Sequence, residues 1–99
     1  MRLEWDEANK NRRNLAKHCI SFETAKLVFE DPHALSIQDR AVEDEERWQT
    51  LGMIGGLVVV LVAHTYREEN GEEVIRLISA RKATPLERRA YEENFESSD

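Results

Sequence analysis

Cysteine, proline and glycine are scarce in this sequence, with one, two and four residues respectively among 99. The single cysteine, Cys19, excludes a disulfide within the chain and is typical of the reducing cytoplasm, where we expect this protein to act. Positive charge is also in deficit, because 14 Lys and Arg residues stand against 20 Asp and Glu, giving a net charge of −6. Such a balance disfavours a protein that coats nucleic acid unspecifically, but it permits an enzyme whose basic residues share one face.

Long apolar runs are missing as well. The longest, Leu57–Ala63, is far shorter than the roughly 20 residues that cross a bilayer, and the N-terminus has no signal-peptide pattern, so we expect no membrane contact. The sequence contains no Cys/His zinc spacing, no P-loop and no Ser or Cys triad pattern. The acidic run Glu43–Glu46 is more typical of a solvated loop than of a metal site. We therefore predict neither a metal nor a cofactor.

The length fits one domain, residues 1–99, in which we expect residues 97–99 to fray. Apolar periodicity predicts the order β-α-α-β-β-β-β-α, an α+β fold with an antiparallel sheet packed by helices. Gly55-Gly56 and Asn70-Gly71 are turn signals, and Leu57–Tyr66 is apolar on both faces and predicted to be central. The predicted strands are Arg2–Trp5, Ala34–Arg40, Arg47–Ile54, Leu57–Tyr66 and Val74–Arg81. The predicted helices run from Asp6 to about Lys17, from Ser21 to about Glu30 and from Pro85 to about Phe95.

One stretch is basic in this acidic chain: the last predicted strand, the start of the last helix and the joint between them. From Val74 to Tyr91, five cations oppose the one carboxylate of Glu87, a local balance of +4. The cations are Arg76, Arg81, Lys82, Arg88 and Arg89. Thr84 and Glu87 have the spacing of a capping box with Pro85 between them, which predicts that the helix begins here. Because cations are unfavourable beside a helix N-terminus, their presence indicates a site for an anion such as phosphate.

Groups of this kind can cleave RNA without a metal ion. A base removes the ribose 2′-hydroxyl proton, an acid protonates the leaving 5′-oxygen, and cations stabilise the charge on the phosphoryl group. His64 near the end of the central strand suits proton transfer, and Arg67 follows just past that strand. Strict alternation places Arg76 with Ala80 on one face of the last strand and Arg81 on the other. The turn places Arg67 and Arg81 at opposite ends of that strand, so the basic residues are not expected to meet at one point.

Each of these residues also has a purely structural interpretation. A lone histidine at a strand end is more often a hydrogen-bonded structural residue than a catalytic one. Arg88 and Arg89 on a helix are usually solvated, while Tyr91 and Phe95 belong either to the core or to a partner surface. The first two helices imitate a helix-turn-helix, but the second offers a poor set of side chains for reading bases, which disfavours DNA binding by this chain alone.

Several motifs occur together that are typical of one family. They are Glu4-Trp5-Asp6, Asn14-Leu15-x-Lys17-His18, Ser21-Phe22-Glu23-x-Ala25, Val28-Phe29-x-Asp31-Pro32, Glu46-Arg47, His64-Thr65, Ile75-Arg76-Leu77-Ile78-Ser79-Ala80-Arg81-Lys82-Ala83-Thr84 and Arg88-Arg89-x-Tyr91. Over about residues 3–92 the chain resembles the BrnT toxins of bacterial type II toxin–antitoxin systems. Two positions depart from that pattern: Cys19 stands in place of a usual glycine, and Tyr66 in place of an acidic residue common before Arg67.

The resemblance implies a RelE-like fold and a ribonuclease that halts translation. It also implies a BrnA-like antitoxin with a ribbon–helix–helix region that binds DNA. This chain would then reach DNA only through a hetero-oligomeric complex that represses its own operon. The family's basic active-site positions correspond to Arg67 and Arg81, with His64 and Lys82 nearby.

Two functional hypotheses follow. In the first, the chain is a metal-independent endoribonuclease in which Arg67 and Arg81 bind the scissile phosphate, and His64 or Tyr91 assists proton transfer. Further RNA contacts are assigned to Arg76, Lys82, Arg88, Arg89 and Lys17. In the second, the chain is a non-catalytic module or decayed toxin that only binds an antitoxin-like partner as a corepressor. The acidic total charge and Tyr66 favour this second hypothesis.

Overall fold

The computed structural model describes residues 1–42 and 45–97, and their side chains except those of residues 40–42, 45 and 95–97. The predicted acidic loop therefore lies partly outside the described residues. The described residues include a five-stranded sheet in the order β1-β5-β4-β3-β2, with β1 parallel to β5 and the other neighbours antiparallel. The strands are β1 Arg2–Glu4, β2 Leu35–Val42, β3 Glu45–Ile54, β4 Val58–Glu69 and β5 Glu72–Lys82. The α+β class and the central position predicted for β4 are confirmed.

Three helical segments accompany the sheet, in the predicted positions. A π-helical turn, Glu7–Asn11, leads into α1, Arg12–His18; α2, Phe22–Ala25, continues as a 3-10 turn, Lys26–Glu30; and α3 spans Pro85–Ser97. Side-chain caps fix where they begin, since Asp6 Oδ1 accepts from the Asn9 amide at 3.1 Å and Ser21 Oγ from the Thr24 amide at 3.1 Å. At α3 the capping box is complete, with reciprocal bonds of 3.2 and 2.9 Å between Thr84 and Glu87. The described part of α3 continues through Ser97, two residues past the predicted end.

The hairpin turns hold the central strands in register. Asn70 and Gly71 join β4 to β5 with φ angles of 53° and 81°, the left-handed pair that a type I′ turn requires. A third left-handed residue, Cys19, ends α1 with φ 60° and ψ 26°. A glycine would adopt this conformation without the clash that a Cβ atom causes, so the side chain of Cys19 adds local strain.

The two faces of the sheet are covered unequally. The helical segments before β2, Glu7–His18 and Phe22–Glu30, form what we call the first helical layer. Its apolar residues Phe22 and Val28 pack against Val62 and Leu77 on one face of the sheet. This layer lies so close to β3 that a Cβ atom at Gly52 would stand 2.7 Å from Val28 Cγ1. On the other face, Tyr91 of α3 packs against a smaller set of residues, Leu51, Val59 and Leu61. Since these three residues lie near the β3–β4 turn, α3 covers that end of the face.

Among the described residues, no helix is both long enough and apolar enough to cross a membrane.

Candidate functional site

The strand register brings side chains from three neighbouring strands into one row on the side of the sheet that Tyr91 of α3 contacts. Arg47 of β3 and Arg76 of β5 are both paired with Thr65 of β4, and paired residues point to the same side of a sheet. Arg67, two residues along β4, lies on this side as well, and Arg81 joins them further along β5. We call this set the arginine face: Arg47, Arg67, Arg76 and Arg81.

A β-bulge at Ile78 decides which side chains share this face. The pairing of β4 with β5 shifts between Ala63 and His64, so β5 contains one residue more than β4 at this point. The alternation of side chains shifts with it, and Arg76 and Arg81 point to the same side. The sequence prediction that they lie on opposite faces is wrong, because strict alternation takes no account of an extra residue.

Glu4 is the carboxylate at one end of the arginine face. It lies beside Arg76 in the β1–β5 pairing, and its Oε1 accepts from Arg67 Nη2 at 3.1 Å and from Arg76 Nη1 at 3.5 Å. Arg67 Nε also donates to Glu69 at 3.1 Å. Partial burial raises the pKa of Glu4, but the hydrogen bond and charge of Arg67, with the charge of Arg76, outweigh it and lower the pKa overall. Glu4 is therefore ionised at neutral pH, and while it is bound to these arginines it is a weaker base than a free glutamate.

Arg81 is held at the opposite end by Glu87. Its Nη1 and Nη2 donate to the two Glu87 oxygens at 2.8 and 2.9 Å, the two-pronged geometry that suits a guanidinium and a carboxylate. This bond lowers the pKa of Glu87 to about 2 despite partial burial. Because Glu87 also caps α3, the same carboxylate fixes both the helix start and the Arg81 side chain.

Arg67 and Arg81 share a face but do not meet. Arg81 is paired with Leu61, six residues before Arg67 on β4, so their backbones are about 20 Å apart. Each guanidinium is also bound to a different carboxylate, Glu4 or Glu87. The hypothesis that both arginines bind one scissile phosphate therefore does not fit this geometry, whereas the expected separation along the strand is confirmed.

His64 lies on the other side of the sheet. It is 4% exposed, its Nε2 is 2.7 Å from Thr50 Oγ1, and its ring meets Phe29 edge-on at 5.0 Å between centroids. Burial lowers the pKa of His64, although its bond to the Thr65 carbonyl opposes the shift. The structure does not bring His64 together with the arginines; its surroundings match the structural interpretation.

Tyr91 also lies away from the arginines. It is 3% exposed, and its hydroxyl donates to Asp31 Oδ2 at 2.5 Å, while the Met53 amide donates to the same oxygen at 2.8 Å. Burial and the Asp31 carboxylate raise the pKa of Tyr91 to about 12, so the hydroxyl stays protonated. Tyr91 thus ties α3 to the end of the first helical layer. The side chain of Phe95 lies outside the described residues.

The remaining predicted RNA contacts are spread over other surfaces. Lys82 is exposed and is paired with Val60, which places it on the face of the first helical layer. Arg88 is exposed on α3 and bound to Glu92 at 3.0 Å, and Arg89 is exposed on the same helix. Lys17 lies on α1, beside the edge of β5. None of these four side chains belongs to the arginine face, and their role in RNA binding stays a prediction.

Two residues at this face carried no predicted role. Glu4 and Arg47 occur in the motifs of the resemblance, but their place beside the arginines depends on pairings between strands distant in sequence. Arg47 Nε and Thr65 Oγ1 are buried without a hydrogen-bond partner in the described part of the chain. Buried unpaired polar atoms are unusual, and the described residues contain a third, Trp48 Nε1, on the opposite side of the sheet.

A protein-family model described as the ribonuclease toxin BrnT of type II toxin–antitoxin systems matches residues 5–87. The chain belongs to the BrnT family. The family assignment confirms the resemblance and establishes a toxin with an antitoxin as its partner. Among the described residues, no three His, Cys, Asp or Glu side chains form a group that could hold a metal ion.

A solved BrnT structure is similar to the chain throughout most of its length. The Brucella abortus ribonuclease toxin BrnT, known from a crystal structure, is 30% identical, with 85% of this chain and 97% of that chain covered and a TM-score of 0.63. A comparison with curated proteins gave no match.

Proposed function

We propose that this BrnT family member is an endoribonuclease that cleaves RNA on the arginine face without a metal ion. The observation that carries the proposal is the position of one carboxylate, Glu4, between two guanidinium groups, Arg67 and Arg76. Both arginine side chains are about 40% exposed, at 42% and 40%, and so within reach of a phosphate from solvent.

The chemistry follows from these groups. Glu4 accepts the proton of the ribose 2′-hydroxyl, and the resulting oxygen attacks the adjacent phosphorus. The bond from phosphorus to the 5′-oxygen breaks, which leaves a 2′,3′-cyclic phosphate and a 5′-oxygen that takes a proton from water. Arg67 and Arg76 donate to the non-bridging oxygens as negative charge builds up on them, a task for which planar guanidinium groups are well suited. The phosphate displaces Glu4 from part of its hydrogen bonding with Arg67, which frees the carboxylate to act as the base.

Arg81 would then bind a different phosphate of the same RNA strand. Its Nε and one Nη2 hydrogen remain available beyond the bonds to Glu87 and to the Lys82 carbonyl. Arg47, across Thr65 from Arg76, widens the cationic strip toward β3. Phosphate contacts of this kind position the RNA without reading its sequence.

Growth arrest and RNA cleavage test the proposal together. The chain is expressed from a tightly controlled promoter, with and without its neighbouring reading frame, and the purified protein is incubated with RNA. We expect arrest that the neighbour relieves, and roughly a hundredfold or greater loss of cleavage in Glu4→Gln and Arg76→Ala with unchanged unfolding temperature. The matched control, Lys26→Ala, removes an exposed cation on the other face, where it pairs with Glu23. Full cleavage by a folded Arg76→Ala would refute the site.

For the partner, we propose a BrnA-like antitoxin that binds DNA on behalf of a hetero-oligomeric complex. Large apolar side chains are exposed at separate points of the fold, with Leu57 at 80%, Leu86 at 75%, Ile37 at 52% and Leu15 at 50%. Since its substrate would be cellular RNA, we place its action in the cytoplasm. Light scattering of the co-purified complex gives the stoichiometry, and a gel shift with and without the antitoxin separates direct from indirect DNA binding.

One observation favours a second candidate, a non-catalytic partner of the antitoxin. The exposed arginines of the face are each bound to a carboxylate, which reduces the positive potential offered to RNA. Normal growth of cells that accumulate folded protein, with intact antitoxin binding, would decide for this candidate.

A further inference from the structure

A groove of about 180 Å³ lies between α1 and the edge of β5, outside the arginine face. Its lining is basic: Lys10, Arg13, Asn14, Lys17, His18 and Ser79. The first four of these are spaced at i, i+3, i+4 and i+7, so they form one stripe along the helical segment.

Asn14 fixes this stripe against the sheet. β1 ends its pairing with β5 at Arg76, which leaves the following part of the β5 edge without a strand partner. Asn14 takes that place: its Nδ2 donates to the Ala80 carbonyl at 2.9 Å, and its Oδ1 accepts from the Ala80 amide at 3.0 Å. Asn14 is 6% exposed, so the groove walls are held by a buried contact.

The cations of the groove differ in one respect from three of the four on the arginine face. In the described part of the chain, Lys10, Arg13 and Lys17 form no ion pair, whereas Arg67, Arg76 and Arg81 are each bound to a glutamate. Three unpaired cations along one wall in a protein of net charge −6 are an uncompensated local field. A ligand with repeated negative charge would neutralise them.

The groove borders the arginine face through Ser79. This residue is paired with Ala63 and therefore lies on the same side of β5 as Arg76 and Arg81, while it also lines the groove. We infer that the groove binds the phosphates of an RNA strand as it leaves the arginine face, over the edge of β5. The inference rests on the proposed ribonuclease function and extends its substrate to a strand several nucleotides long, held there regardless of sequence.

Binding of a single-stranded 2′-O-methyl RNA tests the inference, because this probe lacks the nucleophilic hydroxyl and stays uncleaved. A 12-nucleotide probe and a trinucleotide are titrated at several salt concentrations against wild type, Arg13→Gln/Lys17→Gln, and the matched control Arg12→Gln/Lys26→Gln. For the 12-nucleotide probe, we expect the groove variant to bind about tenfold more weakly, with the slope of log affinity against log salt reduced by about 1.4, at roughly 0.7 for each lost phosphate contact. The trinucleotide should bind equally to all three proteins, and the control should keep the wild-type slope.

Cleavage assays separate failure of this inference from failure of the proposed function. Suppose that wild type cleaves RNA, but the groove variant binds the 12-nucleotide probe as tightly as wild type or as the control does. The inference about the groove is then overturned, and the proposed function stands. If the groove variant loses antitoxin binding and keeps RNA binding, the groove is a protein site and the inference is again overturned. If wild type neither cleaves RNA nor binds either probe, the proposed function fails and the inference fails with it.

Discussion

Three arginines of this face, Arg67, Arg76 and Arg81, are each held by a carboxylate that has a second task. Glu4 bridges Arg67 and Arg76, and Glu87 holds Arg81 while it caps α3. The cations are therefore presented in fixed positions before any RNA arrives, which lowers the entropy lost on binding. A phosphate must therefore compete with a carboxylate at each of these arginines. The affinity for RNA then depends on how many of the arginines its phosphates contact at once.

Cys19 offers a stability test at the scale of one residue. Its left-handed backbone, φ 60°, strains a side chain that is exposed and makes no disulfide. Cys19→Gly should raise the free energy of unfolding by about 1 kcal/mol and the midpoint temperature by roughly 4–8 °C. Thermal unfolding measures both, with Cys19→Ser as the control that keeps the Cβ strain. A glycine variant no more stable than the serine variant would contradict the prediction.

His64 should affect stability as a function of pH. Burial lowers its pKa in the folded protein, so the unfolded chain takes up a proton first as the pH falls below about 6.5. The contribution of neutral His64 is present above that pH and is lost as the pH falls toward the folded pKa. His64→Gln should cost about 1–3 kcal/mol at pH 7, because the Thr50 contact is disturbed, and should flatten the decline between pH 7 and 5. Denaturant unfolding at several pH values is the measurement; an unchanged decline would assign it to another group.

At the scale of elements, two irregularities, one in β5 and one in β1 beside it, position the residues of the site. The bulge at Ile78 turns Arg76 and Arg81 to one side, and the early end of β1 exposes the edge that Asn14 of α1 then occupies. Without the first, the arginines would be divided between two faces. Without the second, α1 would have no polar anchor on the sheet.

The Asn14 anchor can be tested directly. Asn14→Ala removes bonds to both Ala80 backbone groups and to the Ile20 carbonyl, and should cost about 2–3 kcal/mol. Hydrogen exchange of the Ala80 amide should accelerate beyond the change explained by global stability. Asn14→Asp should be at least as harmful at pH 7, because a carboxylate would face two carbonyl oxygens. The exposed Asn9→Ala serves as control, within about 0.5 kcal/mol of wild type; an Asn14→Ala variant equally stable would disprove the anchor.

At the scale of the whole molecule, four of the 14 Lys and Arg residues of an acidic chain lie on one side of the sheet. The net charge is −6, yet four arginines share one face, with further cations on α1 next to it. We expect these cations to attract a polyanion to the side of the sheet on which they lie.

Chelation tests the proposed source of catalytic charge. If guanidinium groups supply the positive charge at the phosphate, RNA cleavage should continue at an unchanged rate in excess EDTA. Added monovalent salt should slow it, because arginine–phosphate contacts release counterions on binding. A gel assay of RNA cleavage in EDTA, with and without added Mg²⁺, is decisive: loss of activity that Mg²⁺ restores would rule out the metal-free mechanism.

Local signals in the sequence were sufficient for the elements and for their order. The turn at Asn70-Gly71 requires two left-handed residues, and the Thr84–Glu87 box requires a helix start, so each is specified by a few adjacent residues. The same is true of the central strand, whose continuous apolar run needs cover on both faces. The motifs were specific enough to indicate the BrnT family.

Only the tertiary structure decided which residues meet. Glu4 reaches Arg67 and Arg76 through a parallel pairing of the two ends of the chain, and a bulge without a local sequence signal placed Arg81 on their side. Burial decided that His64 belongs to the helical face, since alternation along β4 gives two faces but does not say which one α1 and α2 cover. Local interactions fix each element, whereas the site depends on contacts between residues far apart in sequence. Those contacts follow from the register of the paired strands, which is set by packing of the whole sheet.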